Sequence, residues 1–383
     1  MKIAFVSRQS IYDIHAWSGS VYSISKALKK KDIELYFIDN LDEKRNRIMI
    51  KLERLYAKIT RKLFKKEHYY GVFPITLKYL SCLIKKQLTK DTDIIFGITS
   101  EVIAYLKTEI PKILFADSVF AGKFEYYKSC TNLSNRIKKY LNTLEKNALD
   151  NCDKALFTSD WAKDGAIKYY NCDPDKIKVV PFGANIECNR KIIDIEKIIE
   201  NKKENECNLL FIGVEWERKG AAIALETADV LHNKGINVHL DIVGIRSCPV
   251  ELPDYVTNHG FISKSTEVGN ELLDNLFKRS HFFILPTRAE CFGVVWSEAS
   301  SFGLPSLATN TGGVPTAVFD GLNGKLFELS DRGEVYAKYI QTMLSDFNEY
   351  KKLCFSSFVE YEKRLNWNTI SDNIICLMRT ILL

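Results

Sequence analysis

The stretch Ala289 to Pro305, AECFGVVWSEASSFGLP, decides how this chain is read. It carries two glutamates, Glu290 and Glu298, with seven residues between them and Phe292-Gly293 just after the first. The apolar run His281–Leu285 (HFFIL) leads in as a buried strand, and the small residues Ala299, Ser300, Ser301 and Gly303 follow the second glutamate. A strand–loop–helix order of this kind presents carboxylates and backbone N–H groups at the carboxyl edge of a parallel sheet, where open α/β folds bind ligands. If both glutamates sat on one helix, they would stand roughly 12 Å apart along its axis, at about 1.5 Å per residue. That is too far for one acid/base pair acting on one bond and suits two separate grips on a long polar ligand.

Working outward, apolar strands alternate with amphipathic helices twice over. In the first half the strands are Lys2–Ser7, Ile33–Ile38, Asp93–Gly97, Lys112–Ala116, Lys154–Thr158 and Lys176–Pro181. Helices are expected from Tyr22, over Asn135–Ala148 and, behind a Ser159 cap, over Trp161–Tyr170. Pro181-Phe182-Gly183 marks a hinge. The pattern restarts with Asn208–Gly213, the helix Ala221–Asn233, Val238–Gly244, His281–Leu285, the Glu298 helix and Ser306–Ala308. This alternation predicts two doubly wound α/β domains facing a cleft. Trp367–Leu383 reads as an apolar C-terminal helix.

Composition agrees with a globular chain. Its 383 residues predict two or three domains, and 46% hydrophobic and 27% charged residues are ordinary soluble values. Ten cysteines are scattered without a C-x-x-C, which argues against a zinc site or disulfide framework and for a reducing cytosol. The opening MKIAFVS reads as a strand rather than a signal peptide, and no apolar run approaches the length of a membrane span. The chain is expected to be cytoplasmic, or peripheral on the inner face of the membrane.

The net charge of +6 is unevenly placed. Between Lys44 and Lys66, ten basic residues face one acid, Glu53, while Ile48, Leu52, Leu55, Tyr56, Ile59 and Leu63 recur at helical spacing. This is a basic amphipathic helix. It either packs as a solvated helix on its own domain or docks on an anionic membrane surface, where each basic residue contributes about 1 kcal/mol. No RNA-binding signature accompanies it, and no nucleic-acid partner is expected.

Four further stretches are candidates for chemistry. Trp17-Ser18-Gly19-Ser20 precedes a helix, so Gly19 and Ser20 either form a simple cap or bring backbone to an anionic ligand. Arg218-Lys219-Gly220, in FIGVEWERKG, puts two cations before a helix, a placement the helix dipole opposes unless an anion sits there. Asp117, in LFADSVF, ends a strand and serves either as a turn residue or as a ligand for a hydroxyl. Gly244 and Gly260-Phe261-Ile262 follow two further strands, and by themselves these glycines are ordinary turn residues.

The ordered set SDW (159–161), PFGAN (181–185), GVEWERKG (213–220), E-x7-E (290–298) and NTGG (310–313) resembles the retaining glycosyltransferases of the GT-B fold. It is most similar to glycosyltransferase family 4, the group 1 glycosyl transferases. The resemblance implies two Rossmann-like domains, an acceptor-side domain over 1–183 and a nucleotide-sugar-binding domain over 184–364. A helix over 365–383 would cross back to the first. It implies sugar transfer from a nucleotide-sugar to a glycan or lipid-linked acceptor, with retention, in cell-surface polysaccharide or lipopolysaccharide synthesis. The implied catalytic set is Glu290, Asp117 and Lys219. The implied donor-binding set is Gly19, Ser20, Arg218, Lys219, Gly244, Phe261, Ile262, Glu290, Phe292, Gly293 and Glu298. Glu290 would hold hydroxyls of the transferred sugar, Glu298 would accept from the ribose hydroxyls, and the cations would hold the donor diphosphate.

This chain departs from the family at three places. Val214 stands where many members carry an arginine, Asp117 where many carry a histidine, and Thr316 where a glutamate is usual. No D-x-D stands in a loop suited to hold a metal, so no metal and no cofactor are expected beyond the nucleotide-sugar as co-substrate. Two other readings stay open: a nucleotide-sugar epimerase on the same fold, and a non-catalytic binding or scaffold subunit.

Overall fold

The computed structural model describes all 383 residues. They divide into two units, Met1–Pro181 with Ile370–Leu383, and Phe182–Thr369.

The first unit is built on β1 (Lys2–Val6), β2 (Glu34–Ile38), β3 (Ile94–Ile98), β4 (Lys112–Ala116), β5 (Lys154–Phe157) and β6 (Ile177–Val179). All pairings are parallel, in the order β2-β1-β3-β4-β5-β6. Strands β3 and β4 are buried along their whole length, as a parallel strand covered on both faces requires. Phe5, Phe96 and Phe115 pack across β1, β3 and β4 at ring separations of 5.7 and 5.8 Å. The Ser159 hydroxyl accepts from Ala162 N and starts the helix Asp160–Tyr170.

The second unit holds β7 (Glu206–Ile212), β8 (Asn237–Val243), β9 (Val256–Asn258), β10 (Phe282–Leu285), β11 (Ser306–Thr309) and β12 (Gly324–Phe327). These are also all parallel, in the order β12-β11-β10-β7-β8-β9. The two doubly wound α/β domains expected from the strand–helix alternation are therefore present. Strand order reverses between β1 and β3 in the first sheet and between β7 and β10 in the second. At each reversal the flanking crossovers leave in opposite directions and open a crevice at the strand carboxyl ends.

The C-terminal helix runs from Trp367 to Leu382. The division between the units falls after Thr369 rather than at 364/365. Ala184 N donates to the Leu365 carbonyl at 3.0 Å, and the Trp367 indole N–H donates to Asn185 at 2.8 Å, which keeps this stretch with the second unit. Beyond it, Ile370, Ile374 and Met378 are buried and Asp372 pairs with Lys31 at 2.6 Å. No helix is long and apolar enough to cross a membrane.

The basic helix spans Arg47–Phe64, started by the Asn46 side chain accepting from Ile48 N and Met49 N. Its burial inverts the usual pattern. Glu53, Ala57 and Thr60 face inward, and the Glu53 carboxylate accepts from Gly71 N at 2.7 Å. Ile48, Leu52, Leu55, Ile59 and Leu63 are each 46–67% exposed. At about 100° per residue these five fall within a sector of about 80°, with Lys51, Arg54, Lys58 and Lys62 along one side.

His281, just before β10, is buried and neutral. Its Nδ1 accepts from Asn208 N at 3.0 Å and its Nε2 faces the Lys203 carbonyl at 3.2 Å. Burial, with help from nearby Lys202, lowers its pKa to about 4. Between pH 6.5 and 4 the unfolded chain then binds the extra proton, so stability falls as pH drops through that window. The contribution is on the order of 3 kcal/mol. Urea denaturation of His281→Gln should show a shallower loss between pH 6.5 and 4 than the parent; parallel curves would exclude this assignment.

Candidate active site

In the second unit the chemistry gathers where β7 and β10 end. The chain leaving β7 makes one short turn, Trp216–Lys219, and Gly220 then caps the helix Ala221–Asn233. Gly220 has φ +75°, and a Cβ there would lie 2.0 Å from the Pro286 carbonyl oxygen, so no other residue fits. Arg288 N and the Thr287 hydroxyl both donate to the Arg218 carbonyl, at 2.7 and 3.1 Å. These bonds lock the β7 and β10 loops together.

The Lys219 ammonium is hydrogen-bonded to Glu290 Oε2. Both side chains are nearly nine-tenths buried. The anion expected near the two cations is thus, in this structure, the chain's own Glu290. Arg218 is differently engaged. Its Nε and Nη2 donate to Glu215 at 2.8 and 2.6 Å, its Nη1 donates to the Ala289 carbonyl at 3.0 Å, and Glu290 lies 3.7 Å away. Arg218 therefore pins the loop that carries Glu290, and Lys219 is the cation in direct contact.

Glu290 lies in the loop, and only Glu298 belongs to the helix Val295–Ser300, so the single-helix spacing does not apply. Gly313, from the NTGG stretch, donates its N–H to the Glu290 carbonyl at 2.9 Å, which ties these two motifs together in space. Glu298 is buried, with 1% of its side chain exposed, and bonds to Lys264. Nothing in the sequence singled out Lys264, a lone lysine three residues beyond Phe261. Beside this region, Val214, Trp216, Gly244, Ile245, Arg246, Ser247 and Phe261 line a cavity of about 350 Å³ at the ends of β7 and β8. Gly244 and Phe261 from the expected donor set line it; Ile262 does not. Phe292 is buried, and Gly293 has φ +84°.

In the first unit a cavity of about 420 Å³ opens at the ends of β1, β3 and β4, the reversal point of that sheet. Asp117 lines it, accepting from the Trp17 indole N–H at 2.9 Å and from the Ser118 hydroxyl at 2.8 Å. Trp17, Ser18 and Gly19 are three consecutive left-handed residues, and Thr99 at the end of β3 also has positive φ, +69°. Such strain costs on the order of 1–3 kcal/mol per residue and clusters at functional sites. Gly19 caps the helix that starts at Ser20, and of this loop only Trp17 reaches the cavity wall.

Sequence reasoning missed most of that wall. Arg8 donates to Asp42 at 3.0 and 2.8 Å and to Glu101 at 3.2 Å. Burial alone would raise the Glu101 carboxyl, but Arg8 and local hydrogen bonds outweigh it and hold it below its ordinary value. Glu145 is fully buried, and burial lifts its pKa to about 7 despite a hydrogen bond from Ser100 at 2.5 Å. Arg8 and Glu101 follow the ends of β1 and β3 just as Asp117 follows β4, so strand-end position was the available signal.

Removing Lys264 leaves the buried Glu298 carboxylate without this cation. Lys264→Met should destabilise the second unit by about 1–3 kcal/mol, and adding Glu298→Gln should restore at least half of the loss. Urea denaturation checks this; an unchanged midpoint in the single variant would show that the pair carries no stability.

Comparison with known proteins places this geometry. Glycosyl transferases group 1 matches residues 193–354, and Glycosyltransferase Family 4 matches residues 19–187. An uncharacterized 41.2 kDa protein in the cps region of Klebsiella pneumoniae is 28% identical over 194 residues, 48% of this chain and 52% of that protein. A D-inositol 3-phosphate glycosyltransferase of Paenarthrobacter aurescens (strain TC1) is 25% identical over 197 residues, 48% of this chain and 47% of that protein. The chain spans about half the length of the curated relatives it matches. In structure it resembles HepE of Anabaena, solved in complex with UDP-glucose, with TM-score 0.63 and 16% identity over 99% of this chain and 100% of that one. That likeness extends the GT-B fold over both sheets. With one family description matched in each unit, on the stretches that carry the site, the chain belongs to the group 1, family 4 glycosyltransferases.

Proposed function

We propose that this chain transfers a hexosyl or related sugar from a nucleotide-sugar to a saccharide or lipid-linked acceptor, with retention, in cell-surface polysaccharide or lipopolysaccharide synthesis. The observation that carries this reading is the Lys219–Glu290 pair at the β7/β10 reversal, beside a cavity of a size that suits a nucleoside. The donor belongs to the second unit and the acceptor to the first.

As the glycosidic bond breaks, the departing nucleoside diphosphate gains negative charge. Lys219, with Arg218 behind it, meets that charge, and the backbone N–H groups of Phe292 and Gly293 add to it. Preorganised donors of this kind are each worth about 3–4 kcal/mol. When the diphosphate takes Lys219, the Glu290 carboxylate is released to accept from hydroxyls of the transferred sugar. Glu298, buried and oriented by Lys264, accepts from the ribose hydroxyls, and Gly244 and Phe261 border the base. Protein cations take the role that a divalent metal has in other transferases.

The exposed stripe Ile48, Leu52, Leu55, Ile59 and Leu63, flanked by lysines and arginines, fits an anionic membrane surface. Its charge complements acidic lipid, and its apolar side chains match the acyl boundary. This would make the enzyme peripheral on the inner leaflet. Flotation with vesicles should recover the protein on anionic but not on neutral lipid, and replacing Leu52, Leu55 and Ile59 by Ser should abolish recovery. Equal recovery on both lipids would remove the docking role.

Thermal unfolding of the full chain with UDP-, GDP-, ADP- and dTDP-linked sugars tests the donor site. One class at about 100 times its Kd should stabilise by about 2.7 kcal/mol, with the shift lost in Lys219→Ala and Glu298→Ala and kept in the presence of EDTA. No shift with any donor would favour a scaffold subunit, and turnover of the nucleotide-sugar without acceptor would favour an epimerase.

A further inference from the structure

The cavity of the first unit has a charge balance that selects among acceptors. Its wall carries two cations, Arg8 and Lys123, against the carboxylates of Asp42, Glu101 and Asp117, with Glu145 as a fourth carboxyl. Arg8 is the group best shaped to fork onto a phosphate. Here its Nε and Nη2 are on Asp42 and its Nη1 is on Glu101. Arg45 also donates to the Asp42 backbone carbonyl, and its Nε lies 3.3 Å from Oδ1, which holds that carboxylate in place. Lys123 lies over the Phe120 ring at 4.3 Å. An entering phosphate or carboxylate would therefore meet a guanidinium already held by the chain's own carboxylates and would bring further negative charge beside them.

The hydrogen-bonding character of the wall points the same way. Ionised carboxylates only accept, so they call for a ligand rich in donors. Sugar hydroxyls are such donors, and the hydroxyls of Ser7 and Ser118 at the same strand ends can give or take. Four aromatic side chains complete the wall: Trp17, Tyr69 and Tyr70 with apolar surface and polar edges, and Phe120 with apolar surface alone. A volume of about 420 Å³ accommodates a sugar residue. The left-handed backbone at Trp17 and Thr99 holds two of these groups in position.

We infer that this cavity binds the acceptor's terminal sugar through its hydroxyl groups and discriminates against acceptors that carry a phosphate or carboxylate there. The inference rests on the transferase reading above and narrows its acceptor. It sets this chain apart from its relatives named for D-inositol 3-phosphate, a phosphorylated polyol.

Equilibrium binding to the full chain tests it. The probes are methyl glycosides of glucose, galactose and mannose, then glucose 6-phosphate, glucuronate and D-inositol 3-phosphate, with UDP titrated in parallel. At least one neutral glycoside should bind ten-fold or more tighter than every anionic probe. Asp117→Asn should weaken that glycoside several-fold. Glu101→Gln should narrow the neutral-to-anionic ratio at least three-fold while UDP binding stays within two-fold. If Glu101→Gln fails to fold, Asp42→Asn, at a more exposed position, should narrow the ratio in the same direction. An anionic probe that binds as tightly as the neutral ones overturns the inference, as does UDP binding with no neutral glycoside bound. Neutral glycosides bound selectively without any UDP binding would uphold the acceptor cavity and remove the UDP donor instead.

Discussion

Parallel pairing is the constraint on which the rest of this molecule depends. With all strands of a sheet running one way, every strand ends at the same edge, and the chain must cross back over a face to start the next one, mostly through a helix. Loops that share an edge are brought together whatever their separation in sequence. Lys219 and Glu290, 71 residues apart, meet because β7 and β10 are neighbours. Arg8 and Glu101, 93 residues apart, meet because β1 and β3 are neighbours. Each pair sits at the reversal of strand order, where crossovers diverge and side chains can converge without helices covering them.

The two sheets use this edge differently. In the second, ionic contacts are few and directed, with Lys219 on Glu290 and Lys264 on Glu298. Each carboxylate there has a basic partner that an incoming anion can compete for, and the backbone bonds among Arg218, Thr287 and Arg288 fix the frame. In the first sheet the Arg8 guanidinium is shared by two carboxylates, Arg45 also pairs with one of them, and acidic groups outnumber basic ones among the side chains lining the wall. One edge is arranged for exchange with an anion, the other for neutral hydroxyl groups.

Much of this was legible in the sequence, for physical reasons. Buried parallel strands read as continuous apolar runs, so β4 was bounded to the residue and β3 to within one. Glu290 stood out by its spacing from Glu298, Lys219 because the helix dipole opposes two cations before a helix, and Asp117 by its place at a strand end. Lys264 did not, since a lone lysine in a loop carries no local pattern. The wall residues Arg8, Glu101 and Glu145 come from three separate segments and share a cavity only through strand order. The helix Arg47–Phe64 shows the limit of periodicity. Its apolar spacing left open whether the stripe packs on its own domain or faces a membrane; in the fold the stripe is exposed and Glu53, bonded to Gly71 N, faces inward.

The first unit is discontinuous, since its last helical turns lie beyond the entire second unit. During synthesis the second unit has all of its strands while the first still lacks Ile370, Ile374 and Met378, three of its buried side chains. A chain made from its N-terminus therefore completes its second unit before its first. The stretch from Ile370 onward is then the last part of the first unit to be added, so the unit begun first is the one finished last.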